Sequence, residues 1–457
     1  MRLKKFILLI GDFIILYGSL ALALILRYQK FDLNTFQAHI FPFLTLFLIW
    51  IVIFFIHDLY SIDIAKNSVE FTSALTRSII VCAFVSLAYF YLAPFLFSFS
   101  IAPKTNLLLT ILVFIVLFCA WRYLFNLVIG SLTPKINVAI IGSDPLILTL
   151  IKEVKKNPQF GYRVKAVIKE APEEKDKNEL ADIKTVYGFK NLKNVLIREK
   201  INLVITSPEV YKFPDIIQTL FECLRNKIDF INLSVFYEKF AKKIPISTIN
   251  QVWFLENISQ NQKKAYEFFK RIFDCILALI LFLFTLPFWL FIALMIKISS
   301  PGPIFYKQIR IGKGGKPFWL IKFRTMIKDA EKDGPKMAQE NDPRITKFGK
   351  FLRKTRLDEL PQLWNIIKGE MSFVGPRAER PEFHEELKKH IPFYQERYLI
   401  KPGLTGWAQI KYGYSSSIGE NFEKIQYDLY YVKNRNFLLD LGIILKTINI
   451  ILRGGGR

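Results

Sequence analysis

Two adjacent acids, Asp358 and Glu359, sit in the stretch Arg353-Lys354-Thr355-Arg356-Leu357-Asp358-Glu359-Leu360-Pro361-Gln362-Leu363-Trp364-Asn365. Carboxylates within reach of several Arg and Lys suit Mg²⁺ and phosphate, and such a carboxylate can be a metal ligand or a nucleophile forming an acyl phosphate. The same residues admit a structural reading. Pro361 fits the first turn of a helix that runs to about Ile367 and stops at Gly369, which puts both acids at its N-terminus. Asp358 would then cap the helix and Glu359 would complement its dipole. This stretch alone leaves both readings open.

Cations that could hold phosphate recur on either side. Lys322-Phe323-Arg324-Thr325-Met326 follows the strand-like Phe318–Ile321, and two cations two residues apart on a strand share one face. They could grip a phosphate, and a solvated face fits equally well. Ser372-Phe373-Val374-Gly375-Pro376-Arg377 and Lys401-Pro402-Gly403-Leu404-Thr405-Gly406-Trp407 are turn-rich. Their Gly and Pro would hold Arg377 and Lys401 in rigid positions suited to a diphosphate or a lipid headgroup.

The elements that must position these residues begin with four apolar runs, roughly Phe6–Leu26, Ile40–Ile56, Ile79–Phe99 and Leu107–Val128. Each is long enough, or nearly so, for a spanning helix of about 20 residues. Arg2, Lys4 and Lys5 precede the first run, and Arg122 and Lys135 mark the exit of the fourth, so both ends of the region are expected in the cytoplasm. Asp12, inside the first run, suits a helix–helix or headgroup contact or a functional acid. From Lys135 strands alternate with helices: Ile136–Ile141, Tyr162–Ile168, Ile201–Thr206 and Ile228–Leu233 read as strands and Pro145–Val154 as a helix. That pattern implies a parallel, Rossmann-like α/β domain over 135–260. Its first turn, Gly142-Ser143-Asp144, has one glycine where a dinucleotide fingerprint has three, so a structural or regulatory sheet is the expectation. A fifth apolar run, about 272–298, has basic flanks on both sides and Pro287 near its middle. Both ends on the cytoplasmic side and a proline break imply a re-entrant hairpin rather than a fifth span. The domain plan is therefore 1–134 for the membrane region, 135–260 for the Rossmann-like domain and 261–457 for the segment carrying the acids, which ends in an apolar Phe437–Leu452 suited to the membrane interface.

Composition agrees. The 457 residues are 52% hydrophobic, with 43 Phe, yet carry 63 Lys+Arg against 39 Asp+Glu for a net charge of +24. Apolar and basic together exclude a disordered chain and point to a membrane protein facing something anionic. Cys82, Cys119, Cys223 and Cys275 form no C-x-x-C pair, so neither a disulfide framework nor a zinc site is expected.

From about Lys264 to Arg457 the chain resembles the bacterial sugar transferases, the polyprenyl-phosphate phosphoglycosyl transferases that begin exopolysaccharide and O-antigen assembly. The resemblance rests on the proline-broken apolar run, K-F-R-T-M, L-D-E-L-P-Q-L-W-N, M-S-F-V-G-P-R, K-P-G-L-T-G-W-A-Q-I and Asp428-Leu429-Tyr430-Tyr431-Val432-Lys433. One departure is Ala378, where the family usually has a second proline. The preceding spans and degenerate Rossmann-like domain are similar to the large-form members. The resemblance implies a fold of four transmembrane helices, a Rossmann-like domain and an α/β catalytic domain with a re-entrant helix. It implies transfer of a hexose 1-phosphate from a UDP-sugar to undecaprenyl phosphate, with Asp358 as nucleophile, Glu359 holding Mg²⁺, and Lys322, Arg353 and Arg377 on phosphate oxygens. Arg324, Arg356 and Lys401 join them as candidate substrate cations. It further implies membrane lipids as partners, the bacterial inner membrane as location and a cytoplasmic catalytic face, and leaves a homodimer open. Glucose or galactose is the expected sugar, with an N-acetylated hexose as the other option. A membrane-bound nucleotide-sugar dehydratase would need intact glycines and a Tyr-x-x-x-Lys pair in the Rossmann-like domain, and the Tyr266/Lys270 match lies outside it. A non-catalytic scaffold would not need the Asp-Glu pair, and no nucleic-acid motif accompanies the charge.

Overall fold

Long apolar stretches with few breakers fold here as long helices. The computed structural model describes residues 2–61, 67–96, 104–132, 135–172, 182–258, 263–330, 342–412 and 417–452, which form two units, Met1–Ile231 and Asn232–Arg457. The first unit opens with α1 (Arg2–Tyr28), α2 (Leu33–Ile56), α3 (Val69–Leu96) and α4 (Lys104–Leu132), each long and apolar enough to cross a membrane. The end of the third apolar run, 97–99, lies outside the described residues. Phe43, Phe47, Trp50, Phe114 and Phe118 make an aromatic core among these helices. Asp12 on α1 pairs with Arg122 on α4 and accepts from Trp121 Nε1 at 3.1 Å, so it makes a helix–helix contact. A buried acid in an apolar bundle needs that partner. Gly11, one residue away, leaves room for the Trp121 ring.

The α/β part follows as β1 (Ile136–Ile141), α5 (Leu146–Lys156), β2 (Tyr162–Lys169), β3 (Lys184–Tyr187), α6 (Leu192–Arg198), β4 (Leu203–Thr206), α7 (Pro214–Cys223) and β5 (Asp229–Asn232). The sheet order is β3-β2-β1-β4-β5, and β1 pairs in parallel with both β2 and β4. The C-terminal halves of its inner strands, Val138–Ile141, Ala166–Ile168 and Val204–Thr206, are buried, and the core residues among them pack with Leu192, Leu196, Ile216 and Leu220 of the flanking helices. The four-residue β3, KTVY, has no apolar run and escaped the sequence reading.

The second unit contains α8 (Leu233–Ala241), α9 (Gln251–Asn257), α10 (Lys264–Ser299), β6 (Phe305–Ile311), β7 (Pro317–Phe323), α11 (Lys347–Thr355), α12 (Gln362–Lys368), β8 (Ser372–Val374), α13 (Pro381–His390), β9 (Gly403–Thr405), α14 (Trp407–Lys411), α15 (Ile418–Asn434) and α16 (Phe437–Leu452). Residues 232–257 pack with this unit: Ile244 and Ile246 share a core with Leu387, Tyr394 and Leu429, and Glu238 accepts from Lys433 Nζ at 2.8 Å. The boundary expected at 260/261 lies outside the described residues.

Pro287 sits inside one continuous helix, α10, and does not divide it in two. Proline removes one N–H from the ladder. Side-chain hydrogen bonds lie beside it: Thr285 Oγ1 donates to the Leu281 carbonyl at 2.8 Å, and Trp289 Nε1 donates to Thr285 Oγ1 at 3.2 Å.

Candidate active site

Antiparallel β6 and β7 form a hairpin in which Tyr306 stands opposite Lys322 and Arg310 opposite Phe318. Alternation along a strand puts Arg310, Leu320 and Lys322 on one face. Arg324 lies just past the strand and leaves that face. Its guanidinium donates to the carbonyls of Ser300 at 2.5 Å and Pro301 at 2.9 Å, where it ties down the exit of α10. Gly302 (φ +126°) is needed there, because a Cβ would run into that guanidinium. The two cations expected to share a phosphate are thus separated by the end of the strand.

The acids are delivered by a sharp turn between two helices. Thr346 caps α11, accepting from Gly349 N at 2.9 Å. The helix ends at Arg356 in the left-handed conformation (φ +59°), which is costly for a residue with a side chain. One tight 3₁₀ turn then holds Leu357–Glu359, and Pro361 opens α12. Pro361 has no side-chain group to cap α12, and among the described residues Asp358 and Glu359 accept from no backbone N–H of that helix; Glu359 accepts from Lys322 and Arg356 instead. Two clamps fix α12 instead. Fully buried Asn365 accepts from Ile321 N at 3.2 Å and donates to the Trp319 carbonyl at 2.7 Å, copying a neighbouring strand along the free edge of β7. Arg271 on α10 donates to the Ile366 and Ile367 carbonyls at 2.5 and 2.6 Å, before left-handed Gly369 ends the helix.

This geometry buries Asp358 and Glu359 together, at 7% and 8% exposure. Glu359 Oε1 lies 3.1 Å from Lys322 Nζ and 4.0 Å from Arg377, and its Oε2 lies 3.5 Å from Arg356. Burial would raise the Glu359 pKa, but Lys322, then Arg356 and Arg377, outweigh it and hold it at about 2. For Asp358 burial wins over the pull of Lys322, Glu359 adds to it, and the carboxyl is pushed up to about 6. Arg353, which also bonds Thr325 Oγ1 at 2.9 Å, and Arg356 pull in the other direction. Two neighbouring acids with divergent pKa values mark distinct roles.

Arg377 arrives on paired glycine-rich loops. β8 and β9 run parallel, Ser372 opposite Gly403 and Val374 opposite Thr405, and the backbones of Gly375 and Gly403 touch with no room for a Cβ. The Arg377 carbonyl accepts from Arg397 NH2 at 3.0 Å, and Arg397 pairs with buried Asp428 at 2.7 Å. Ala378, the departure from the family pattern, is buried, and its carbonyl accepts from Arg310 NH1 at 3.0 Å. Lys401 is not brought to the acids: it flanks Gly369 beside Arg271, and burial with Arg271 and Lys313 lowers its pKa. A narrow, open cleft remains, lined among others by Arg310, Lys322, Glu359, Gln362 and Arg377. Sequence reasoning missed Arg310 and Gln362 as lining residues. Strand alternation from Lys322 across the hairpin could have found Arg310.

The profile of the bacterial sugar transferases matches residues 265–454, and one described as a CoA-binding domain matches 40–231. A Klebsiella pneumoniae protein named UDP-glucose:undecaprenyl-phosphate glucose-1-phosphate transferase is 32% identical over 332 residues, 69% of this chain and 67% of that protein. The chain belongs to the bacterial sugar transferase family. A second relative, from Aeromonas hydrophila, is named UDP-N-acetylgalactosamine-undecaprenyl-phosphate N-acetylgalactosaminephosphotransferase and is 44% identical over 191 residues, 42% of this chain. A third, a glucose-1-phosphate transferase from Xanthomonas campestris, is 42% identical over 181 residues, 39% of this chain. The chain spans 45% and 37% of the lengths of these last two relatives.

The residues of the α/β sheet do not fit a CoA diphosphate at the usual loop. Where such a sheet offers backbone N–H groups to phosphate, Ser143 N donates to the Glu209 carboxylate and Leu146 N to Asp144 Oδ1 at 2.8 Å. Two acids already stand in the anion position. The Tyr266/Lys270 pair of the dehydratase alternative is also committed, since both donate to Asp440 Oδ2 at 2.6 Å.

Proposed function

We propose that this sugar transferase moves a hexose 1-phosphate from a UDP-sugar to undecaprenyl phosphate through an aspartyl-phosphosugar. The observation that carries this is the buried Asp358–Glu359 pair, uncommitted to capping, beside Lys322, Arg356 and Arg377. An Asp358 carboxylate oxygen attacks the β-phosphorus of the UDP-sugar. The bond from that phosphorus to the bridging oxygen breaks, and UMP leaves with the electron pair. An oxygen of undecaprenyl phosphate then attacks the same phosphorus. The bond to Asp358 breaks, which frees the carboxylate and yields undecaprenyl-diphospho-sugar. Lys322, Arg353, Arg356 and Arg377 hold the charge on the phosphoryl oxygens. One anhydride replaces another, so splitting the transfer into two displacements costs little driving force.

Glu359 is the residue to hold Mg²⁺. A carboxylate plus substrate phosphate oxygens suits this ion, and three cations keep Glu359 ionised. Bound there, Mg²⁺ would neutralise charge on the transferring group.

The membrane reading is four spans in the first unit and an α10 that re-enters by bending at Pro287 without losing its helical continuity, with the catalytic unit on the cytoplasmic face of the inner membrane. Re-entry is supported by both ends of α10 touching one unit: Arg271 bonds the end of α12, while Ile292 and Ile296 pack with Phe323 and Leu352. Between them Phe284, Leu290 and Phe291 are exposed and suit lipid. The names of the relatives divide between glucose and N-acetylgalactosamine. The test is purified protein with undecaprenyl phosphate and a panel of UDP-sugars, read by UMP. One sugar is expected to support release, and silence with every sugar would contradict the proposal.

A further inference from the structure

Two hydrogen-bond donors in the wall of the cleft are left over by the fold. Gln362, 3% exposed, lies three residues beyond Glu359 and lines the cleft. Among the described residues no partner reaches its Nε2. Arg310 lines the same cleft from β6. Its NH1 and NH2 are used, on the Ala378 carbonyl at 3.0 Å and Gln308 Oε1 at 2.7 Å, while its buried Nε has no partner among the described residues. A stranded buried donor is costly, so native structures rarely keep one without a use. Here two stand in one cleft, on different elements, next to Lys322 and Arg377. Gln362 Nε2–H, Arg310 Nε–H, Lys322 and Arg377 all donate. The complementary ligand group is one rich in acceptor oxygens and negative charge, which describes a diphosphate.

We propose that Gln362 and Arg310 are substrate-binding residues that donate Nε2–H and Nε–H to the diphosphate oxygens of the nucleotide sugar. The inference rests on the transferase reading and assigns a place to its donor substrate. Arg310 also positions the Arg377 loop through Ala378, whereas Gln362 makes no such link and isolates the binding role.

The test is calorimetric titration of UDP into the full-length protein in lipid nanodiscs, with thermal unfolding alongside. Gln362→Leu keeps the volume and removes the donor. It is expected to weaken UDP binding about tenfold or more, the scale of a hydrogen bond to a charged group, with an unchanged or raised Tm. UDP affinity within twofold of wild type, or a lower Tm with unchanged affinity, would overturn the assignment. If Gln362→Leu fails to fold, Arg310→Lys decides, since it keeps the charge and loses Nε–H. Weaker UDP binding at a Tm near wild type supports the proposal, and unchanged binding overturns it. Absence of UDP binding in the wild type together with no UMP release would overturn the transferase reading as well. A wild type that binds UDP normally beside an unaffected Gln362→Leu overturns only this inference.

Discussion

Glu359 Oε1 stands 3.1 Å from Lys322 Nζ, and this contact joins the β6–β7 hairpin to the turn that carries Asp358. Both side chains are largely buried, so each is the main compensation for the other. Lys322→Met is expected to cost about 3 kcal/mol of stability, because it leaves a buried carboxylate with only the more distant Arg356 and Arg377, and to cut turnover at least about a hundredfold. Adding Glu359→Gln should restore much of the Tm and none of the turnover. Thermal unfolding and UMP release on the single and double variants check this, and simple additivity would deny the coupling.

The raised pKa of Asp358 fixes the pH profile. Attack needs the carboxylate, so the chemical step should fall about tenfold per pH unit below about 6 and be flat just above it. Stability runs in the other direction. A carboxyl with a raised folded pKa binds its proton more tightly in the native state, so its ionisation weakens the fold fully above about 6 and not at all below the ordinary carboxylate range. Asp358→Asn should therefore abolish UMP release while matching or exceeding the wild-type Tm at pH 7.5. A clear drop in Tm would mark Asp358 as a structural residue.

Asn365 bonds two backbone groups of β7 and also donates to Glu370 Oε2 at 2.7 Å. Asn365→Leu leaves the Ile321 N–H and the Trp319 carbonyl without that partner. A loss of about 2–4 kcal/mol is expected, with lower turnover because the acid-bearing turn loses its seat on the hairpin. Denaturant unfolding and UMP release measure both. Wild-type values in each would remove Asn365 from the positioning scheme.

A chain beginning at Asn232 is expected to fold and keep some transferase activity, while one beginning at Asn261 should be markedly less stable. The second loses Ile244 and Ile246 from the core, the Lys243–Glu423 pair and the Lys242 carbonyl that accepts from Trp407 Nε1 at 3.0 Å. Melting curves and UMP release compare them. Equal stability would show that residues 232–257 are dispensable.

The candidate site was legible in the sequence where it depends on neighbours along the chain. The acids, the turn at Pro361, the stop at Gly369 and strands β1, β2, β4 and β5 follow from local patterns. What depends on distant partners was not legible. Lys322 and Arg324 look equivalent two residues apart, but the strand ends between them and Ser300 takes the second. Lys401 looks like a substrate cation, but the backbone of β9 carries it to Gly369. The local pattern also offers Asp358 as a cap for α12, and it gives no sign that Asn365 and Arg271 are what clamp that helix. The allegiance of residues 232–257 depends on side chains more than 100 positions away, such as Leu387 and Glu423.

The covalent step is the core of the proposed chemistry and can be observed directly. Purified protein is incubated with the preferred UDP-sugar and no acceptor, quenched, digested and examined by mass spectrometry. The expected result is one sugar phosphate on the peptide containing Asp358, absent from Asp358→Asn and discharged when undecaprenyl phosphate is added. Full transfer with no adduct at any time, together with wild-type UMP release by Asp358→Asn, would contradict it.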